Sequence, residues 1–295
     1  MVSITIRYSG LPVLIRRFVS RKKVTILAYH NPMPHVMEKH LNYLSRRYNF
    51  ITLNHFVHWL HQPGKNHLPD HALIITLDDG LKSDFHLLDT FRKYNINPTI
   101  FVCSQVAGTL RHYWFHEPGA DLRLLKGLGN QERIRFMLKE MGFNHTNDFP
   151  PEERQVLSRE EILQMSAVMD FQSHSRFHPL LPACADEESR EEIELSKREI
   201  ESLTGNPCVH FAYPNGDYTG REIHYLKQAG YRSARTLDVG WNDRRTDPYR
   251  LRVTGITDDA SVNMLAAQLT GVTMFFRYFR KGSFNGRQPE FKFHN

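Results

Sequence analysis

Two adjacent acids are the first residues of this sequence that could perform chemistry. Asp78 and Asp79 follow the apolar run "ALIITL" (72–77) and precede Gly80. Adjacent carboxylates repel each other, and an apolar strand offers them no favourable surroundings. One interpretation is an ordinary Asp-Asp-Gly turn, in which short polar side chains bond the backbone and glycine supplies a positive φ. The other is a pair of functional acids at the exposed end of a buried strand.

A pair of histidines could supply metal ligands. His174 and His178 are four residues apart, which predicts both imidazoles on one side of a helical turn. Spacing alone is a weak signal, because the chain has 17 histidines. Two other pairs share the spacing, His67/His71 and His112/His116. Neither of these directly follows an apolar strand, so we expect them to be surface histidines.

Asp79 would complete a set of two histidines and one carboxylate. Such a set leaves positions open for water and substrate, which suits catalytic zinc and also the ferrous sites of oxygenases. Asp78 favours hydrolysis, because a spare carboxylate near a metal's water is a natural general base. Successive side chains of a strand point to opposite faces, so one acid could bind the metal while the other takes the proton.

Alternating apolar runs and helical patterns predict the elements that position these residues. Strands are predicted at 24–29, 72–77, 99–103, 167–172, 208–213 and 251–256, and helices at about 35–48, 81–94, 131–142, 158–166, 187–203 and 219–229. Ser158 with Glu161, and Ser189 with Glu192, fit capping boxes that would start two of the helices. Near-continuous apolar strands separated by helices predict a distorted (β/α) barrel of six to seven parallel strands, closed or incomplete. Chemistry in such folds collects at the C-terminal strand ends.

Composition limits the class of protein. The 295 residues are 40% hydrophobic and 24% charged, as in a globular protein. The 38 basic and 32 acidic residues give a net charge of +6, which tolerates anionic partners, but no nucleic-acid-binding motif is present. Three widely spaced cysteines predict reduced thiols and a cytoplasmic location, and the N-terminus does not fit a signal peptide.

Four motifs resemble, in order, those of one protein family. They are "TLDDG" (76–80), "HSRFHPLL" (174–181), the helix "DEESREEIELSKREIESLTG" (186–205) and "FAYPNGDY" (211–218). Together they resemble the polysaccharide deacetylase family with NodB homology, over roughly residues 24 to 265. The resemblance implies a distorted β/α barrel. It also implies metal-dependent hydrolysis of an N-acyl group, usually N-acetyl, from an amino sugar.

The resemblance also implies roles for individual residues. Asp78 matches the catalytic base. Asp79, His174 and His178 match the ligands of a divalent metal, for which we expect Zn²⁺, with Co²⁺, Ni²⁺, Mn²⁺ and Fe²⁺ as alternatives. Tyr213 matches the position whose backbone N–H helps to hold the tetrahedral oxyanion.

Two departures from the family pattern concern the mechanism. Many members have an arginine, which orients the base, where this chain has Ala212. Arg252 is the candidate substitute, the alternative being a surface arginine. Many members also have a late histidine that acts as general acid, whereas this chain has none from 225 to 293. His30 is the replacement candidate, the alternative being a structural histidine. Two other functions therefore stay open: a catalytically silent carbohydrate-binding relative, and an iron oxygenase.

The sequence predicts three regions. A barrel covers 24–270, with an insertion at about 104–157 that lies over the mouth or forms a separate packing subdomain. The flanking segments 1–23 and 271–295 are basic and amphipathic, with Leu11, Leu14, Ile15 and Phe18 on one face of the first. Such segments predict contact with an anionic membrane surface, at the inner face of the membrane, which would suit a lipid-linked saccharide. The alternative is that both pack on the barrel.

Overall fold

The computed structural model describes residues 2–62 and 67–271. The strands are β1 Thr25–Tyr29, β2 Asn49–Phe50, β3 Ala72–Asp78, β4 Thr99–Val102, β5 Asp170–Ser173, β6 His210–Ala212, β7 Ser233–Val239 and β8 Leu251–Gly255. The α-helices are α1 Val2–Tyr8, α2 Leu11–Leu14, α3 Pro34–Ser45, α4 Leu53–His61, α5 Leu88–Tyr94, α6 Leu122–Leu125, α7 Asn130–Met141, α8 Arg159–Met165, α9 Asp186–Thr204, α10 Gly220–Gln228 and α11 Val262–Gln268. Among the described residues, no helix is both long enough and apolar enough to cross a lipid bilayer.

Seven parallel strands close into a barrel. β1 pairs with β3 on one side and with β8 on the other, and β3 to β8 pair in sequence order. The two-residue strand β2 pairs with β3 outside this ring. The prediction of a (β/α) barrel of six to seven parallel strands is confirmed, and the barrel is closed.

The side chains of each strand alternate between two apolar layers. Leu73, Ile75 and Leu77 of β3 belong to a core that also contains residues of the surrounding helices. Ile74 belongs to a second core, drawn from strands on opposite sides of the ring, which therefore fills the interior. Since residues two apart share a face, Asp78 continues the interior row. The strand thus delivers a carboxylate to the inside of the barrel at its C-terminal end.

Several elements were not expected from the sequence, and one of the two predicted capping boxes is wrong. The strands β2 and β7 and the helices α4, α6 and α11 had no predicted counterpart. The capping box of Ser158 and Glu161 is confirmed at the start of α8. The proposed box of Ser189 and Glu192 is wrong, because α9 already begins at Asp186 and both residues lie buried inside it. The predicted segment 271–295 lies, after Gly271, outside the described residues.

Candidate active site

The three predicted metal ligands converge at one buried point. One ligand atom from each of Asp79, His174 and His178 lies within 4.8 Å of the other two. Nε2 of each histidine is 3.8 Å from Oδ1 of Asp79. Nδ1 of His174 is 2.8 Å from the carbonyl oxygen of Ala212, which can only accept, so Nδ1 donates its proton and Nε2 presents a lone pair.

The electrostatics of these groups fit a divalent cation. Burial lowers the pKa of His174 to about 4 and holds that of His178 well below its usual value, so both imidazoles are neutral. Burial, reinforced by the charge of Asp78, raises the pKa of Asp79 to about 7. Oδ1 of Asp79 is buried and has no hydrogen-bond partner among the described residues. One ion with bonds of about 2.0–2.2 Å can span donors at the observed spacing, so the three residues could hold a metal ion.

Backbone conformation makes this convergence possible. Asp79, Ser175 and His178 have φ values of 72°, 71° and 58°, in the left-handed region that residues with side chains rarely adopt. Gly80 follows with a φ of 61°, and a Cβ there would lie 2.6 Å from the side chain of Val102. Glycine is therefore required directly after the acid pair. Conformations of this kind cluster at functional sites, where the surrounding structure enforces them.

The same geometry corrects two expectations. His174 and His178 do not share a helical turn, because they lie in the irregular segment after β5. Asp78 and Asp79 are not two successive strand residues, because β3 ends at Asp78. The left-handed backbone of Asp79, rather than strand alternation, places its carboxylate beside the histidines.

Asp78 is held by an arginine that the sequence reasoning missed. Nη2 of Arg235, in β7, lies 2.5 Å from Oδ1 of Asp78 and also donates to its second oxygen. Both side chains are buried. Burial by itself would raise the pKa of Asp78, but the charge and hydrogen bonds of Arg235 outweigh it and lower that pKa. The carboxylate is therefore ionised and able to accept a proton.

Arg252 does not occupy the place expected of it. It is exposed on β8 between the buried residues Leu251 and Val253, so strand alternation turns it away from the interior. The expectation that Arg252 orients Asp78 is therefore corrected in favour of Arg235. The available signal was the stretch "LKQAGYRSART" (226–236), which also resembles the family and whose last arginine is Arg235.

His30 lies at the site. It follows β1 directly, and its Nε2 is 3.7 Å from Oδ2 of Asp78. Its side chain is 22% exposed, so it can exchange protons with solvent. The backbone N–H of His30 donates to Oδ1 of Asp258 at 3.0 Å, which fixes the residue at the rim. Its role as general acid stays a prediction.

The backbone N–H of Tyr213 is already used. It donates to the carbonyl oxygen of Arg235 at 3.0 Å, which extends the pairing of β6 with β7. The expectation that this N–H holds an oxyanion is therefore wrong. Pro214 has no N–H, so the next one along the chain belongs to Asn215, which has a left-handed φ of 57°. Nζ of Lys126 donates to Oδ1 of Asn215 at 2.8 Å and supports this turn.

Part of the predicted insertion packs against the ligand loops. The hydroxyl of Tyr113 donates to the carbonyl oxygen of Asp79 at 2.5 Å, and the indole N–H of Trp114 donates to that of His178 at 2.9 Å. The ring of Phe115 lies 4.6 Å from the imidazole of His178, centroid to centroid. Residues 113–115 therefore brace the backbone of two ligands and line the site.

A buried glutamate supports the loop between the two histidines. Oε2 of Glu192, in α9, accepts the backbone N–H groups of Arg176 and Phe177 at 2.7 Å and 3.0 Å. Glu192 does not form the predicted capping box, because its partners lie 15 and 16 residues earlier in the chain. Glu192 thus fixes the loop between the two candidate histidine ligands.

A closed parallel barrel with two acids and two histidines at its mouth matches a known family. The family model for polysaccharide deacetylases matches residues 65–234, and the chain belongs to this family. No curated protein sequence matches the chain.

Solved structures of deacetylases are similar in fold. The deacetylase PplD of Streptococcus pyogenes, in complex with acetate, has a TM-score of 0.62 at 18% identity, covering 84% of this chain and 99% of that one. IcaB from Ammonifex degensii has a TM-score of 0.62 at 21% identity, covering 84% and 97%. A de-N-acetylase from Aggregatibacter actinomycetemcomitans has a TM-score of 0.58 at 14% identity, covering 83% and 99%.

Proposed function

We propose that this protein is a metal-dependent carbohydrate N-deacetylase. It removes an N-acyl group, an acetyl group above all, from an amino sugar in a polysaccharide, an oligosaccharide or a lipid-linked saccharide. The observation that carries the proposal is the position of Asp78, ionised by Arg235, next to the cluster of Asp79, His174 and His178. Family membership supports the reaction class. The acetate bound to PplD supports the acetyl group, because acetate is the acid that N-acetyl hydrolysis releases.

The ligand set favours zinc. Two neutral imidazoles and one carboxylate leave positions open for water and substrate, as in catalytic zinc sites, and Co²⁺, Ni²⁺, Mn²⁺ and Fe²⁺ are the alternatives. A divalent ion in this place would lower the pKa of a bound water and polarise the acyl oxygen of the substrate.

The protein's own residues supply the proton transfers. Asp78 accepts a proton from the attacking water, and Arg235 keeps its carboxylate ionised for that purpose. The water oxygen adds to the acyl carbon, the C–N bond breaks, and the departing amine takes a proton. His30 is our candidate donor, because its Nε2 lies 3.7 Å from Asp78 and its side chain reaches solvent. The N–H of Asn215 replaces that of Tyr213 as the candidate donor to the oxyanion.

An open cleft beside the site suits a saccharide. It has a volume of about 760 Å³, and its lining includes Asn31, Ser83, His86, Phe115 and His116. Phe115 also contacts the imidazole of His178, so the cleft adjoins the metal ligands. An aromatic face among hydroxyl, amide and imidazole groups matches the mixed apolar and polar faces of a sugar ring.

The proposal is tested with the purified full chain. Incubation with N-acetylated amino-sugar oligosaccharides should release acetate, a chelator should stop the release, and added zinc or cobalt should restore it. Elemental analysis identifies the metal, and the same substrates in lipid-linked and nucleotide-linked form identify the carrier. Full activity after exhaustive chelation, with no metal detectable, would exclude metal-dependent hydrolysis. Consumption of O₂ and a 2-oxo acid with iron, without acetate release, would favour the oxygenase alternative.

A further inference from the structure

The first nineteen residues present an exposed apolar surface. In the part of the chain that the structure describes, fourteen large apolar side chains are exposed, and half of them lie before residue 20. They are Val2, Ile4, Tyr8, Val13, Leu14, Phe18 and Val19. We call them the N-terminal apolar surface. Phe18 is 73% exposed and Leu14 is 54% exposed. Single exposed apolar residues are ordinary, but a concentration of this kind marks an interaction surface.

This surface is fixed to the barrel. Nη1 of Arg7, in α1, donates to Oδ1 of Asn263, in α11, at 2.6 Å, and its guanidinium group also lies 5.5 Å from the ring of Tyr43 in α3. In the next segment Leu11 and Ile15 are half-buried, whereas Leu14 and Phe18 point outward. The four residues predicted to share one apolar face are therefore divided. Leu14 and Phe18 stay exposed and can contact a partner.

The charge of the same segment is one-sided. Residues 1–23 contain six basic and no acidic residues, which equals the net charge of +6 of the entire chain. Arg17 is exposed beside Phe18, with its guanidinium group 5.6 Å from the ring. Arg21 and Lys22 both contact the single carboxylate of Asp70, each at 2.6 Å, so one positive charge remains there. A partner of this surface should therefore be anionic.

Apolar and basic groups together favour a lipid surface over other anionic partners. A nucleic acid would use the cations but offers Leu14 and Phe18 no apolar surroundings. An anionic bilayer serves both, because apolar side chains enter the headgroup boundary while cations meet the lipid phosphates. We propose that the N-terminal apolar surface docks this protein on an anionic lipid bilayer. This inference does not depend on the proposed deacetylase activity.

Vesicle co-sedimentation of the full chain, without substrate, tests the proposal. Binding should require phosphatidylglycerol mixed into phosphatidylcholine vesicles and should weaken as salt rises. The double variant Leu14→Ser/Phe18→Ser should bind at least about tenfold more weakly than the wild type, because both positions lose the apolar contact that favours insertion. Arg17→Gln should weaken binding severalfold, since each cation near the surface adds about 1 kcal/mol, or about fivefold.

The control is a double variant that removes exposed apolar side chains elsewhere on the protein. Leu138 and Leu163 are 52% and 48% exposed, so Leu138→Ser/Leu163→Ser should leave vesicle binding unchanged. Equal binding to neutral and anionic vesicles, or no binding at low salt, would overturn the proposal. So would a clear fall in melting temperature in Leu14→Ser/Phe18→Ser, which would show that residues 272–295 or a second copy cover this surface.

Discussion

Arg235 and Asp78 form a buried ion pair between β7 and β3, although 157 positions separate them in the sequence. Each residue is 2% exposed, so water screens the pair little. Removal of one member leaves a buried charge without its partner, which typically destabilises a protein by about 3–5 kcal/mol. The pair therefore has two measurable effects, on the pKa of Asp78 and on stability.

Arg235→Gln should move the acidic limb of the pH–rate profile to higher pH. The arginine lowers the pKa of Asp78, so its loss raises that pKa, and the base is protonated at pH values where it was ionised before. Arg235→Lys should shift the profile less than Arg235→Gln does, because lysine keeps the positive charge. The pH dependence of kcat/KM measures the effect, with the exposed Arg252→Gln as the matched control. A shift in Arg252→Gln, with none in Arg235→Gln, would return the role to Arg252.

Asp78→Asn and Asp79→Asn should separate proton transfer from metal binding. An amide at 78 cannot accept the proton but leaves the three ligands in place, so acetate release should fall by about 10²–10⁴ while the metal stays bound. An amide at 79 removes the only carboxylate among the ligands, so metal content should fall as well. Elemental analysis beside the activity assay gives both readings. Metal loss in Asp78→Asn but not in Asp79→Asn would reverse the two roles.

His30→Gln should slow hydrolysis according to the leaving group. A general acid matters most when the departing amine is strongly basic, so the loss on an N-acetylated amino sugar should reach about 10²-fold. On an activated anilide, whose amine leaves more readily without a proton, the loss should be much smaller. The ratio of the two rates measures the effect. An equal loss on both substrates would instead indicate that His30 holds structure, through its contact with Asp258.

His210 should make the fold sensitive to acid. Burial lowers its pKa to about 3 in the folded protein, against 6.5 ordinarily. The unfolded chain therefore binds the proton first as pH falls below 6.5, and stability present above that pH is lost toward pH 3. Between pH 7 and pH 4.5 this residue alone should remove about 2–3 kcal/mol from the free energy of unfolding.

Urea unfolding at both pH values measures the loss due to His210. His210→Gln should lose less stability than the wild type between them, and the exposed His55→Gln should lose as much as the wild type. Equal losses in wild type and His210→Gln would show that the imidazole does not control this dependence.

Residue types predicted the cluster of three candidate metal ligands, but not the backbone that brings them together. The sequence identified Asp79, His174 and His178 because few residue types bind a divalent metal. In addition, Asp79 and His174 each directly follow an apolar strand. The left-handed conformations of Asp79, Ser175 and His178 could not be predicted, since they depend on packing such as that of Gly80 against Val102. The spacing of the histidines therefore suggested a helical turn that does not exist.

Arg235 was missed for a different reason. Its strand, "SARTLDV", lacks the apolar run by which the other strands were recognised. Arg235 faces a carboxylate instead of an apolar core. A polar residue at an inward position interrupts the apolar pattern, so neither the strand nor the arginine was recognised. Tyr213 shows a limit of matching by motif. The N–H that the motif suggested is bonded to the carbonyl oxygen of Arg235, and only the hydrogen-bond register of β6 and β7 reveals this.

Closure of the barrel has a consequence for synthesis of the protein on the ribosome. β8 completes the ring between β7 and β1, so a nascent chain has two unpaired strand edges until Leu251–Gly255 emerges. Asp78 likewise leaves the ribosome more than 150 residues before Arg235, and until then its carboxylate lacks the cation that permits burial. Chains that stop before Leu251 should therefore aggregate or be degraded rather than accumulate as an open barrel.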